Sequence, residues 1–202
     1  MYLTKLVLDP MDRLTMRTVS DAYRLHKFVM AGFAKYDKPS RVLYRLEPEA
    51  RERALHLLVQ SCQKPNWNNA DEYQKFILEL KTKDFNPQFR AGAQYRFRFR
   101  ANPVVTRDGK RHGLIRDAAL INWLRKKEVQ AGATFSSVLV IDEGYITGQK
   151  RNVARIDLVK IKTVRFEGQL KITDPTLFGK TFLAGIGPAK AFGCGMLSLA
   201  RA

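Results

Sequence analysis

The chain has 202 residues, of which 45% are hydrophobic and 27% charged, a composition that indicates a folded globular protein and excludes a disordered or collagen-like one. No apolar run approaches the roughly 18 residues needed to cross a bilayer, and the first residues lack the pattern of a secretory signal, so we expect a cytoplasmic protein. Cys62 and Cys194 form no CxxC motif, so neither a disulfide framework nor a zinc knuckle is indicated.

The charge of the chain is strongly positive and unevenly placed. Thirty-six Lys and Arg face 19 Asp and Glu, which gives a formal net charge of +17. Residues 1–89 hold 15 basic and 11 acidic side chains, whereas residues 90–202 hold 21 and 8. Because self-repulsion of this size is typical of proteins that bind a polyanion, the charge predicts a nucleic-acid partner held mostly by the second half.

Hydrophobic periodicity predicts the elements of the first half of the chain. Residues 2–8 have the pattern of a strand, and apolar residues at helical spacing predict a helix over 19–33, with Ser20 and Asp21 suited to its first turn. After this helix we expect strands over 41–46 and 54–60 joined by a turn at 47–49, a loop over 64–71, and an ambiguous segment over 73–83 that fits a helix, a strand or a short piece of each.

The second half begins with a strand of two distinct faces. Tyr95, Phe97 and Phe99 alternate with arginines over residues 94–100, which predicts one aromatic and one cationic face. The remaining predicted elements are a helix over 117–129, strands over 135–141 and 163–172, a helix from Asp174 to Leu183 that stops at Gly185, and a final strand over 195–200.

The order of these elements is similar in the two halves of the chain. Each half approaches β-α-β-β-α-β, the ferredoxin-like arrangement that RNA-recognition domains also use. We therefore predict an α+β fold of two tandem ferredoxin-like (RRM-like) domains, an N-terminal domain over residues 1–88 and a C-terminal domain over residues 89–202.

Acidic residues give little support to a metal site. Metal nucleases hold their cations with clustered carboxylates, but the acids here are scattered along the sequence. The neighbours Asp71-Glu72 and Asp142-Glu143 point apart in a helix or strand, and neither pair has a histidine at ligand spacing. We therefore expect neither a metal nor another cofactor.

Three histidines are candidates for proton transfer. His56 lies in an apolar strand, where a hydrogen-bonded structural role is favoured, and His112 follows the turn dipeptide Asp108-Gly109 among basic residues, which favours a nucleic-acid contact. His26 lies on the apolar face of the first helix, with Tyr23 one turn earlier on the same side. Periodicity leaves two interpretations of His26 open, a satisfied core histidine or a catalytic group facing a cleft.

A glycine-rich segment follows the last helix. Gly185, Gly187, Gly193 and Gly195 surround Lys190, so the segment could form a concavity of backbone N–H groups that suits a phosphate. The alternative is a glycine-rich helix exit that binds no ligand.

Several segments resemble one protein family. GIGPAKAFGCGMLSLA at 185–200 is similar to the glycine-rich signature of the CRISPR precursor-RNA endoribonucleases, in the CasE branch of the type I-E Cascade complex. The other matching segments follow in the family's order at similar spacing: MYLTKLVL at the start, YRLH at 23–26, YRFRFRANP at 95–103, Trp123-Leu124 and Phe166-Glu167-Gly168.

The resemblance implies an activity and its catalytic residues. Such enzymes bind the stem-loop of a CRISPR repeat and cut once at its 3′ base without a metal, and they keep the product with the other Cascade subunits. The ribose 2′-OH attacks the adjacent phosphate, which leaves a 2′,3′-cyclic phosphate and a 5′-OH. The family's catalytic histidine matches His26, and its tyrosine neighbour matches Tyr23. We favour His26 as the general acid on the leaving 5′ oxygen, with Tyr23 orienting the scissile phosphate, and a general-base role for His26 stays open.

Basic side chains are the candidates for RNA contacts, because A-form RNA presents mainly phosphates and 2′-hydroxyls. The alternative to an enzyme is a structured-RNA-binding protein in which the histidine is inert, and the third possibility is a metal nuclease. The candidate contacts are Arg24, Lys27, Arg98, Arg100, Arg107, Lys110, Arg111, Lys150, Arg151, Lys160, Lys162 and Lys190, together with Arg155 and Arg165.

Overall fold

The computed structural model describes residues 1–36, 40–49, 54–68, 71–151 and 156–201. The chain divides into two compact units. The first unit contains residues 1–86 together with 146–160 and 191–193, and the second contains 87–145, 161–190 and 194–202. No helix in the described part of the chain has the length and apolar character needed to span a bilayer.

The first unit contains a four-stranded antiparallel sheet in the order β2-β3-β1-β4. Leu6 in the central strand β1 pairs with Leu57 of β3 and Leu80 of β4. The elements are β1 (Tyr2–Leu8), α1 (Arg13–Val19), α2 (Ala22–Ala31), β2 (Val42–Glu49), β3 (Ala54–Ser61), α3 (Asp71–Gln74) and β4 (Ile77–Asp84).

Helix α2 supplies one side of the core of this unit. Its Leu25, Phe28 and Val29 are buried in one cluster with sheet residues that include Leu6 and Leu57. The Phe28 ring is surrounded by aromatic rings, with centroid distances of 6.5 Å to Trp67, 4.8 Å to Tyr73 and 5.2 Å to Phe76. The Trp67 indole Nε1–H also donates to the Phe28 carbonyl at 3.1 Å, so the loop that carries Trp67 is fixed to α2.

The second unit contains an antiparallel sheet in the order β10-β5-β9-β8 and a separate hairpin, β6-β7. Residues 146–151 of β8 and 156–160 of β9 belong to the first unit. The elements are β5 (Gln94–Ala101), β6 (Val104–Arg107), β7 (Lys110–Gly113), α4 (Asp117–Arg125), α5 (Glu128–Ala131), β8 (Ala133–Arg151), β9 (Ile156–Ile172), α6 (Pro175–Ala184), a 3-10 turn (Lys190–Phe192) and β10 (Ser198–Arg201).

The two faces predicted for β5 are confirmed. Phe97 and Phe99 are buried, whereas Arg96 and Arg98 are exposed. Phe99 stacks on Phe166 of β9 with centroids 5.4 Å apart, and Phe166 in turn stacks on Trp123 of α4 at 6.0 Å. The aromatic face therefore anchors a helix on the sheet.

Several predicted boundaries are wrong, and the largest error concerns the first helix. The predicted helix over 19–33 corresponds to α2, which begins after its cap Asp21 and ends at Ala31, whereas Val19 belongs to α1, a separate helix that was not predicted. The predicted turn at 47–49 is part of β2, where Glu47 pairs with His56. The helix over 117–129 is interrupted after Arg125, and the hairpin β6-β7 was not predicted as strands.

Replacing Phe28 with alanine should destabilise the first unit. The side chain is fully buried among three aromatic rings, so its removal leaves a cavity that the rigid neighbours fill poorly. We expect Phe28→Ala to lower the free energy of unfolding by about 3–5 kcal/mol in urea titrations. Met11→Ala is the control, since Met11 is 87% exposed and its loss should cost less than about 0.5 kcal/mol. Equal losses in the two variants would contradict this account of the core.

Candidate functional site

The start of α2 is held by one carboxylate. Asp21 Oδ1 accepts hydrogen bonds from the backbone N–H groups of Tyr23 and Arg24, each at 2.9 Å, and its Oδ2 accepts from Gln149 N at 2.9 Å. Gly148 packs so closely that a Cβ there would lie 2.9 Å from Tyr23 N. Asp21 therefore joins the first turn of α2 to the 146–151 segment of β8 within the first unit.

His26 lies on α2 one turn after Tyr23, at the wall of a cavity of about 350 Å³. Its imidazole is half-buried, and its Nδ1 atom is buried with no hydrogen-bond partner among the described residues. The ring centroid lies 6.3 Å from that of Phe192. The segment with Phe192 is held in place by the Tyr44 hydroxyl, which donates to the Ala191 carbonyl at 2.6 Å. The structure thus favours the cleft interpretation of His26.

Burial changes the acid–base behaviour of His26. Desolvation lowers the pKa of its imidazole from the ordinary value of 6.5, because the cavity wall disfavours the charged form. A protonated ring would also bury an N–H donor at Nδ1 that no described group accepts. In the free protein at neutral pH, His26 is therefore an uncharged imidazole that can accept a proton.

Cations surround the catalytic candidates on α2. Lys27 Nζ lies 5.3 Å from the centroid of the half-buried Tyr23 ring, which is cation–π geometry. Arg24 and Lys160, both predicted RNA contacts, line a second cavity of about 460 Å³, which Arg17 of α1 also lines. This second cavity brings together three basic residues from three elements.

Arg98 and Arg100 have a different environment from the one that the sequence suggested. Arg98 Nε lies 2.8 Å from Glu167, and Arg100 Nε lies 2.5 Å from Glu143. Arg165 lies between these carboxylates, 3.1 Å from Glu167 and 3.8 Å from Glu143. The cationic face of β5 is therefore part of a network in which acids neutralise much of the positive charge.

Lys162 is also engaged with an acid. Its Nζ donates to both carboxylate oxygens of Asp142 at 2.5 Å, and its side chain is only 10% exposed. The hydrogen bond from Lys162, followed by one from Gly144 N, holds the pKa of Asp142 below its ordinary value. Lys162 is thus a packed member of the second unit.

The hairpin β6-β7 presents an exposed cationic tip. Asp108 and Gly109 form its turn with φ of 48° and 71°, which confirms the predicted turn dipeptide. Arg107, Lys110 and Arg111 are exposed around that turn. Of the other predicted contacts, Lys150 is exposed and Lys190 is half-buried, the structure describes Arg151 by its backbone alone, and Arg155 lies outside the described residues.

The glycine-rich segment is closely packed. Gly187 has φ of 80°, and a Cβ on it would lie 2.9 Å from the Trp123 ring. Gly195 N donates to the Arg100 carbonyl at 2.7 Å, and the Gly195 carbonyl accepts from Ile186 N at 3.0 Å. The remaining glycines, Gly185 and Gly193, also have positive φ, at 76° and 80°. At least two N–H groups of the segment are therefore used by the fold itself.

The cysteines and the candidate metal ligands also bear on the chemistry that this protein could perform. Both cysteines are free, and burial raises the pKa of the Cys194 thiol to about 12, so it stays protonated at neutral pH. Within the described residues, no group of three or more His, Cys, Asp or Glu is placed to hold a metal ion.

Comparison with known proteins identifies the family. The CRISPR associated protein family matches residues 1–201 of the chain. The chain belongs to this CRISPR-associated family. The CRISPR-associated endoribonuclease Cse3 of Thermus thermophilus is 30% identical over 212 residues, which cover 99% of this chain and 100% of that protein.

A second relative and a solved structure indicate the branch of the CRISPR-associated family. The CRISPR system Cascade subunit CasE of Escherichia coli is 33% identical over 216 residues, 99% of each chain. The structure of Thermus thermophilus Cse3 bound to an RNA representing a pre-cleavage complex matches with a TM-score of 0.84 at 30% identity, over 99% of this chain and 98% of that one. The resemblance to the CasE branch is thereby confirmed.

The sequence analysis did not identify three polar or charged residues that line the two cavities described above. Ser40 and Arg41 line the His26 cavity, and Arg17 lines the second cavity. Arg41 directly precedes β2, and its proximity to His26 of α2 appears only in the folded structure, where both line one cavity. Arg17 could have been found from the capping signal of Asp21, because a helix break there brings the end of α1 beside the start of α2.

The lowered pKa of His26 should appear in the pH dependence of stability. The unfolded chain binds more protons at His26 than the folded chain once the pH falls below about 6.5, so acidification weakens folding through this residue. We expect His26→Gln to lose less unfolding free energy than the parent protein between about pH 7 and pH 5, measured by urea denaturation. His112→Gln, at an exposed histidine, should follow the parent. A loss in His26→Gln as large as that of the parent would contradict this account.

Proposed function

We propose that this chain is a metal-independent endoribonuclease that binds the stem-loop of a CRISPR repeat and cleaves the precursor RNA at the 3′ base of the hairpin. The observation that carries the proposal is the uncharged His26 imidazole at the wall of a cavity in a member of the CRISPR-associated family. Two relatives support the same activity. One is named an endoribonuclease, and the other is a solved structure bound to an RNA representing a pre-cleavage complex.

The reaction asks little of the protein beyond alignment and proton transfer. A base, which is solvent water where His26 is the acid, takes the proton of the ribose 2′-OH as that oxygen bonds to the adjacent phosphorus. The bond from phosphorus to the 5′ oxygen breaks, and the acid gives that oxygen a proton. The products are a 2′,3′-cyclic phosphate and a 5′-OH. RNA supplies the nucleophile, so a histidine, a hydroxyl and cations around the phosphate are enough.

His26 is the proton-transfer residue and Tyr23 the orienting residue of this proposal. In the free protein burial keeps His26 uncharged, but a bound phosphate places negative charge beside the ring and favours its protonated form. The protonated ring then donates to the leaving 5′ oxygen as the general acid. Tyr23 lies one turn away on α2, where its hydroxyl serves to orient the scissile phosphate, and Lys27 over its ring adds positive charge.

The RNA is held in this proposal by two groups of cations. Arg24 and Lys160 contact phosphates at the second cavity, and Arg107, Lys110 and Arg111 of the hairpin contact the stem. The other predicted RNA contacts contribute less to RNA binding in this proposal. Carboxylates partly neutralise Arg98, Arg100 and Lys162. The rest belong to neither group: Lys27, Lys150, Arg151 and Lys190.

The order of strands in the two sheets supports a fold of two ferredoxin-like domains. Each four-stranded sheet places its strands in the order fourth, first, third and second along the chain, and each has helices after its first and third strands. This is the ferredoxin-like order, so we propose two tandem ferredoxin-like domains, residues 1–88 and 89–202.

The relative named as a Cascade subunit supports retention of the product with other Cascade subunits, in the cytoplasm.

Cleavage in the absence of metal tests the activity. We expect the full chain to cut the repeat RNA of its own CRISPR locus once in EDTA, leaving a 2′,3′-cyclic phosphate detected by mass spectrometry, and to leave intact an RNA with a 2′-deoxy sugar at the cut. Tight binding with no cut would indicate the structured-RNA-binding alternative. Activity that EDTA abolishes and Mg²⁺ restores would indicate a metal nuclease instead.

A second experiment tests the role of His26. We expect His26→Ala to slow cleavage of ordinary RNA by about 10²–10⁴-fold, as for loss of a general acid. An RNA with sulfur in place of the leaving 5′ oxygen needs no acid, so the variant should cut it at nearly the parent rate. His56→Gln, at a histidine of β3, should keep both rates. Equal loss on both substrates would exclude the general-acid role and favour the general base.

A further inference from the structure

The described wall of the cavity beside His26 contains one permanent positive charge. Of the described residues that line it, only His26 and Arg41 have ionisable side chains, and the others are Met30, Ser40, Val42 and Ala191. Burial keeps the imidazole uncharged in the free protein, whereas a guanidinium stays protonated at every physiological pH. Arg41 is therefore the group that makes this cavity attractive to an anion.

Arg41 is available to a ligand. Its side chain is exposed, and no carboxylate among the described residues forms an ion pair with it. The next arginine of the same segment, Arg45, is only 2% exposed and its Nε lies 2.8 Å from Glu47. Arg45 is therefore a buried, ion-paired residue of the core, whereas the Arg41 guanidinium is exposed and has no ion pair with the described carboxylates.

The backbone on both sides of Arg41 is fixed. Ser40 N and Oγ both donate to Gln63 Oε1, at 2.8 and 3.3 Å. On the other side Val42 begins β2 and pairs with Ser61, whose Oγ donates to the Gln63 carbonyl at 2.7 Å. Gln63 holds the Ser40 side of this short segment and the pairing with β3 holds the Val42 side, so the backbone of Arg41 is preorganised beside the cavity.

Nearby cations on α2 do not serve this cavity. Lys27 Nζ lies over the Tyr23 ring, and Arg24 lines the second cavity with Arg17 and Lys160. A phosphate that reacts beside His26 gains a second negative charge as the 2′ oxygen bonds to phosphorus, and that charge needs a donor at the same place. Among the described lining residues, Arg41 alone provides a permanent charge there.

We infer that the Arg41 guanidinium binds the non-bridging oxygens of the scissile phosphate and stabilises the charge that develops during cleavage. The inference rests on the proposed RNA cleavage and adds a catalytic residue to it. Arg41 moves no proton, so the bonds and protons exchanged remain those of the 2′-OH attack. A planar guanidinium can contact two phosphate oxygens at once, which a lysine cannot reproduce.

Single-turnover kinetics test the inference. At saturating protein, we expect Arg41→Gln to slow cleavage of repeat RNA by about 100-fold or more, the effect of losing one donor to a developing oxyanion. Its affinity for the uncleavable 2′-deoxy RNA should fall by less than about tenfold, because many other phosphate contacts remain. Arg41→Lys, which keeps the charge but not the two-point contact, should be intermediate in rate.

Sulfur substitution at the scissile phosphate gives a second, independent measurement. Replacing either non-bridging oxygen by sulfur weakens one of the two guanidinium hydrogen bonds, so the parent protein should show a difference in rate between the all-oxygen RNA and each sulfur-containing diastereomer, which it should cut more slowly. That difference should largely disappear in Arg41→Gln. A difference unchanged in the variant would overturn the inference even if the rate had fallen.

The control removes an equal charge elsewhere in the first unit. Lys75 is exposed beyond α3, so Lys75→Gln should cleave at the parent rate. Circular dichroism and thermal unfolding of Arg41→Gln establish that it is folded, and its retained RNA affinity checks the same point. If the parent, Lys75→Gln and Arg41→Gln all cleave equally fast, the inference about Arg41 fails while the proposed function stands. If the parent does not cleave at all, the proposed function fails and the inference falls with it.

Discussion

Asp21 is the residue on which the geometry of the candidate site depends. One oxygen of its carboxylate satisfies two N–H groups at the start of α2, and the other binds the backbone of Gln149. Because Tyr23 and His26 lie within the first two turns of α2, their positions follow from this cap together with the burial of Phe28 on the opposite face. The same carboxylate fixes β8 to α2, and Lys160 lies on β9, the strand beside β8. Lys160 therefore lines the same cavity as Arg24.

Much of the fold could be predicted from local sequence signals. Period-two patterns found β1 and β5, and Asp174-Pro175 located the start of α6 because capping and proline geometry are local properties. One error occurred where two helices meet without a glycine or proline between them, and another where a proline lies inside a strand. Ser20-Asp21 has the composition of a first helical turn and carries no sign that another helix ends there, and Pro48 suggested a turn although it pairs with Leu55 at the end of β2.

The candidate site was only partly predictable. Helical spacing placed Tyr23 and His26 on one side of α2, and family resemblance gave them roles, but spacing could not distinguish a core histidine from one at a cavity wall. The partners of a charge are set by sheet register, which a single sequence does not show. Arg98 faces Glu167 across β5 and β9, so a stripe that looked purely cationic in one strand is partly neutralised in the folded sheet.

The three residues 191–193 have a consequence for biosynthesis. They belong to the first unit although almost the whole chain precedes them, and Ala191 forms part of the wall beside His26. As the ribosome releases the chain from the N-terminus, the first sheet can form early while its cavity still lacks that wall. The pocket is therefore completed only after residues 191–193 have been synthesised, so a nascent polypeptide that still lacks them has no finished site to present to RNA.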